Sequence, residues 1–159
     1  MKAVTVKQLK DELSHKSANE LKELCLHLSK FKKENKELLT YLLFESYNEE
    51  GYIQSIKDQM DLLFEDINTN SFYYIRKNVR KILSLTKKYI RYSKKKETET
   101  ELLLYFCQKL KAFRPSIKRS TRLQNVFDTQ VRMIKKAIEK LHEDLQYDYQ
   151  LELNDLLDE

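Results

Sequence analysis

The sequence predicts an all-α fold: a single-domain, irregular antiparallel helical bundle of about six or seven helices with a long C-terminal helix. Three observations carry this. The 159 residues contain one Gly and one Pro, so the chain has almost nothing with which to turn between strands. Leu, Lys and Glu, all good helix formers, dominate the composition. Apolar residues also recur at the three-four spacing of a core-facing helix through nearly every segment. A chain of this length can bury one real core, and no change of composition marks a second domain, so 1–159 reads as one helical domain whose acidic end, 139–159, is free to protrude.

Each element has its own justification. Thr5 caps a short amphipathic helix over 5–14 that uses Val6, Leu9 and Leu13. Ser17 followed by Glu20 has the spacing of a capping box, and Leu21, Leu24, Leu28 and Phe31 then repeat on one face. The rhythm continues to Leu38 and Leu42, so 32–35 is either a break or a polar interruption of one helix. Six of the seven residues in 38–44 are apolar, a girth that implies contact on several sides and marks this as the most buried segment.

The segment 48–51 is the best turn, with Gly51 free to take positive φ. A helix with Ile53, Ile56, Met60, Leu63, Phe64 and Ile67 follows. Asn70 or Ser71 caps the next, which ends at Lys94, Lys95 and Lys96, where positive charge suits the helix dipole. Thr98 caps a helix carrying Leu103, Phe106, Leu110 and Phe113, which Arg114 and Pro115 stop. After Ser120 nothing breaks the apolar rhythm from Leu123 to Leu156. A helix of some 35 residues would be roughly 50 Å long, more than its shorter neighbours can cover, so its end overhangs, bends or meets another subunit.

Charge is distributed unevenly. Residues 67–127 hold sixteen basic and three acidic side chains, while the remainder holds fourteen and twenty-two. Within 67–96 there are ten basic residues and no acid. On a helix, Arg76, Lys77, Arg80, Lys81, Lys87, Lys88 and Arg91 fall within an arc of roughly 140°, continued by Lys94 and Lys95, opposite Ile75, Val79, Ile82 and Ile90. A merely solvated helix would interleave Glu for support at i,i+4. An acid-free basic face points instead to an acidic partner, and nucleic-acid phosphates, of DNA or RNA, are the first expectation. Lys109, Lys111, Arg114, Lys118, Arg119 and Arg122 form a second basic set, and Tyr73 and Tyr92 lie beside the strip, where aromatics can stack on unpaired bases.

The segment 139–159 has eight acids and one Lys. Its apolar stripe, Leu145, Tyr149, Leu153 and Leu156, is suited to a partner helix. The alternative expectation is therefore an assembly module, in which the basic helix and the acidic C-terminal helix mediate homo-oligomerisation or bind an acidic partner.

Other chemistry is poorly supported. Glu12 with His15, and Glu139 with His142, have the Glu-x-x-His spacing of di-iron bundles, but they lie off the apolar faces into which such ligands project. Cys25 and His27 are too close and too solitary for half a zinc site, and Cys25 and Cys107 read as buried reduced thiols. One Gly permits no phosphate loop, and three scattered His offer no nucleophilic constellation. No enzyme activity, metal or cofactor is expected. No segment has the roughly 20 apolar residues of a membrane span, so the cytoplasm is the expected location.

Overall fold

A computed structural model describes residues 1–158. Among them there are eight α-helices and no strand, so the all-α expectation holds while the count of six or seven does not. The break at Lys32 takes one of the two alternatives that the sequence leaves open, and the eighth helix arises because what reads as one C-terminal helix is two. The residues gather into two compact units, Met1–Phe44 and Glu45–Glu159.

The first unit holds α1 (Val6–Leu13), α2 (Ala18–Phe31) and α3 (Lys33–Thr40), and a π-helical turn, Tyr41–Glu45, carries the chain out of it. Both expected N-caps form complete capping boxes: Thr5 with Gln8, and Ser17 with Glu20. Lys32 adopts an extended backbone between α2 and α3, and the Asn35 side chain donates to the Leu28 carbonyl at 2.8 Å, satisfying an acceptor that the end of α2 leaves open.

None of these three helices buries a residue. The expectation that 38–44 is the most buried segment is therefore overturned. Leu42, Leu43 and Phe44 are 54%, 61% and 63% exposed, and only Tyr41 in that run is buried. Apolar girth requires neighbours on every side, and this short segment, ending in a π turn, does not have them. Cys25, expected inside, is exposed for the same reason.

The second unit contains α4 (Glu49–Glu65), α5 (Phe72–Ser93), α6 (Lys96–Ala112), a 3₁₀ turn at Ile117–Arg119, α7 (Thr121–Ile138) and α8 (Glu143–Leu157). Helix α6 is its centre, packed against α4, α5, α7 and α8. The reason lies in 102–107, where Leu102, Leu103, Leu104, Phe106 and Cys107 are all buried: a helix apolar most of the way round is stable only when enclosed. Burial pushes the Cys107 thiol up to about 12, so it stays a neutral core group.

Several caps differ from expectation. Gly51 has no positive φ; it lies in the first turn of α4, where its amide donates to the Asn48 cap at 3.1 Å. A Cβ there would come within 2.5 Å of the Asn48 amide nitrogen, so the glycine serves close approach. Thr98 is buried inside α6 instead of capping it, and its hydroxyl donates to Glu49 at 2.6 Å. Glu49 also accepts from Ser93 and pairs with Lys95 at 3.2 Å, which ties the start of α4 to the α5–α6 junction.

At that junction Lys94 has φ 60° and ψ 8°, a left-handed C-cap normally filled by Gly. The conformation costs a residue with a Cβ about 1–2 kcal/mol, and glycine's extra freedom in the unfolded chain takes back about 0.4–1 kcal/mol. Lys94→Gly is therefore expected to stabilise by about 0.5–1 kcal/mol, read as a higher denaturant midpoint at unchanged slope.

The long C-terminal helix is corrected by the turn at 139–142. Without a Gly or Pro, side chains end α7 and start α8. Gln146 donates to the carbonyls of Leu141 and Glu139 at 2.8 and 3.3 Å, and the His142 imidazole accepts from the Asp144 amide at 3.3 Å as N-cap. His142, weighed for metal, thus has a capping role. The fold-back seats α8 on α6 and α7, where Tyr149, Leu153 and Leu156 are buried.

Candidate functional site

The outward face of α5 is built by helical period alone. Ile75, Val79, Ile82, Thr86 and Ile90 are buried, so the opposite arc must face out. Lys77, Arg80, Lys81, Arg91, Lys94 and Lys95 are exposed, and Arg76, Lys87 and Lys88 are partly covered along their stems.

The surroundings of these cations differ. Four lysines of the unit meet carboxylates: Lys57 with Glu101 at 2.7 Å, Lys109 with Asp61 at 2.8 Å, Lys96 with Glu99, and, at the end of the strip itself, Lys95 with Glu49. Among the described residues, Arg76, Lys77, Arg80, Lys81, Arg91 and Lys94 have no ion pair. Lys88 lies over the Tyr89 ring at 5.2 Å, and Lys87 donates to the Met133 sulfur at 3.5 Å.

Two contacts extend the surface beyond what the sequence marks. The Arg119 guanidinium stands 5.7 Å from the Phe72 ring at the start of α5, and Lys87 reaches Met133 further along. Fifteen residues along α5 correspond to fourteen along the chain into α7, so α7 runs beside α5 in the same direction, with α6 packed against both. On the α7 wheel, Arg122 lies within about 20° of Met133 and Lys136 within about 60°. Arg119 and the Lys87–Met133 contact thus join the basic face of α5 to the start and middle of α7, on which Arg122 and Lys136 are exposed. Lys136 carried no signal in sequence, since its relevance depends on where α7 packs.

The rest of the second basic set is dispersed. Lys109 is paired with Asp61, Lys111 donates to the Leu156 and Asp158 carbonyls and so caps α8, and Arg114 donates to the Phe113 carbonyl at 3.1 Å. The aromatics divide too. Tyr92 is a core residue, edge-on to Tyr89 with centroids 6.0 Å apart. Tyr73 and Tyr74 are exposed at the start of α5 as a T-shaped pair at 5.4 Å.

The acidic segment is engaged with α6. The Tyr149 hydroxyl donates to Glu97 and Glu101, both at 3.3 Å, and the apolar stripe expected to meet a partner helix meets α6 of the same chain. Crowding of acids here has a measurable consequence. Partial dehydration, followed by the like charge of Glu101, raises the Glu152 pKa from 4.5. The folded state therefore holds that proton more tightly, and stability falls as pH rises through the window above 4.5. Asp61 is the opposite case: hydrogen bonds from Lys109 and then Tyr105 hold it below 3.8, so its contribution is present above that value and lost as pH falls through the folded one. Glu152→Gln is expected to raise the melting temperature at pH 7 and not at pH 4, whereas Asp61→Asn lowers it at pH 7 by an amount that shrinks as the pH falls below 3.8.

No helix among the described residues is long and apolar enough to cross a membrane. Comparison of the chain with protein families, with curated proteins and with solved structures finds no match in any of the three.

Proposed function

We propose that the second unit is an irregular antiparallel bundle that binds nucleic-acid phosphates without catalysis and with little sequence specificity, through the outward face of α5 and the adjoining surface of α7. The observation that carries this reading is the concentration of unpaired charge on one face: Arg76, Lys77, Arg80, Lys81 and Arg91 have no ion pair among the described residues, and no acid lies within 67–96 to meet them. Such a row tracks a phosphate backbone, and Tyr73 with Tyr74 at its end offers stacking faces to unpaired bases.

The test is fluorescence polarisation of labelled DNA and RNA oligomers against salt. Five duplex phosphate contacts give a log-log slope of roughly −4 to −5. Absence of binding at low salt removes the reading.

A second reading, assembly through opposite charges, is favoured by the exposure of Glu143, Asp144, Asp148 and Asp155 on α8. Neutralising these four to Gln or Asn separates the two readings. Under the first the protein keeps its mass in solution; under the second a salt-sensitive oligomer dissociates.

A further inference from the structure

We infer that the ligand of the α5 face is single-stranded nucleic acid, with one unpaired base stacked on Tyr73 and the phosphates that follow it on Arg76, Arg80, Lys87 and Arg91; this rests on the phosphate-binding reading above and adds to it the class of strand. Tyr73 is 60% exposed, and the ring it touches at 5.4 Å is that of Tyr74, its neighbour in the chain, itself 43% exposed. Burial therefore does not account for it. Helix propensity does not either, since Tyr is a weaker helix former than the Lys and Arg that fill the rest of the arc.

Its position on the helix links it to the cations. At about 100° per residue Tyr73 stands at the middle of the basic arc, about 20° from Arg80, about 40° from Lys77 and in line with Arg91. Arg76 and Lys77 follow it within about one turn, so a ring and two cations share the start of the row. The Arg119 guanidinium over Phe72 adds a second flat surface at the same end. The far end differs: Tyr92 is buried, and Tyr89 is half-buried, edge-on to Tyr52 and Tyr92, so the exposed rings of α5 belong to its start alone. The strip is thus asymmetric, with stacking faces at one end and cations over roughly 27 Å from there to Arg91.

A duplex makes poor use of that end. Its bases stack on one another, so a ring on a helix surface meets a base face either by prising a step open, at a cost, or where the strand is already unpaired. Charge alone ranks the two ligands the other way: a duplex has the denser phosphates, and each one neutralised adds about 0.9 to the log-log salt slope, against about 0.7 for a single strand. The order of affinity therefore reports stacking, and the salt slope reports phosphates.

The test titrates the full chain, by polarisation, into a labelled single strand of about 12 nucleotides, made as DNA and as RNA, and into the blunt DNA duplex of the same sequence; faces of this kind cover roughly 4–16 nucleotides. Each is measured at about 50 mM and about 150 mM salt. A single strand is expected to bind at least about fivefold tighter than the duplex, and the tighter of the two strands names the sugar. Tyr73→Ala is expected to cost the single strand about 5- to 150-fold, the worth of one stacked base, and to leave duplex affinity within about twofold and both salt slopes as they were. Tyr73→Phe keeps the ring and should keep the preference. Because Tyr73 is on the surface, circular dichroism should be the same for all three proteins. A duplex that binds as tightly as either strand with a steep salt slope would overturn the inference and leave the phosphate reading standing. So would a Tyr73→Ala variant that weakens strand and duplex alike, or neither. Absence of binding to every oligomer at low salt would remove both.

Discussion

Changing Arg76, Arg80, Lys87 and Arg91 together to Gln is expected to weaken oligonucleotide binding at least a hundredfold at about 50 mM salt and to flatten its salt dependence. Each phosphate neutralised adds about 0.9 to the log-log slope, and about 50 mM lies some 1.3 log units below the molar reference, so one contact is worth roughly tenfold. Two real contacts among the four already give a hundredfold, and four would lower the slope by about 3.6. The fold should not change, because these side chains stand outside the Ile75, Val79, Ile82, Ile90 stripe and Gln is as good a helix former as Lys. Circular dichroism and the melting temperature serve as the control. Arg122→Gln with Lys136→Gln tests the α7 surface: a further loss of slope places α7 in the interface, and none confines binding to α5. A quadruple variant that binds like the parent at every salt would leave the α5 face as a solvated surface and end the nucleic-acid reading.

What the sequence makes legible follows from how local each feature is. The Thr5 and Ser17 caps are set by a hydroxyl and a carboxamide or carboxylate three residues on, and both form as their spacing predicts. The basic arc of α5 depends only on helical period, so its residues face outward as expected. The turn at 139–142 is illegible by the usual signs because it uses no Gly or Pro; Gln146, a residue that fits equally well inside a helix, supplies the hydrogen bonds that end α7. The same holds for Tyr92, whose position beside the strip says nothing of the ring pocket formed with Tyr89. Pairing of Lys109 with Asp61 and of Lys111 with the end of α8 required contacts between residues more than forty apart, which periodicity does not contain. Arg119 and Arg122 stand out in the sequence as part of the second basic set, whereas Lys136 gains its place only from where α7 packs.

The misplaced core gives the last expected result. Two runs are equally apolar to a reader of the sequence, 38–44 and 102–107, yet Leu42 is 54% exposed and Leu103 is fully buried. The difference is position in the chain. Helix α6 has α4 and α5 before it and α7 and α8 after it, all within reach of short connections, whereas 38–44 follows three helices that bury nothing. Leu103→Asp therefore puts a carboxylate at a position of α6 with no exposure to water. Such burial costs upwards of about 4 kcal/mol, against a typical total of ~5–15 kcal/mol, so the variant should lose its cooperative unfolding transition or melt far below the parent. Leu42→Asp places the same group in water on the surface of the single chain and should shift the melting temperature of the second unit little. Chemical denaturation of both variants, followed by the tyrosine signals of the second unit, decides the matter. Equal damage from the two substitutions would mean that 38–44 is enclosed, and comparable tolerance would mean that α6 is not the centre on which α4, α5, α7 and α8 are held.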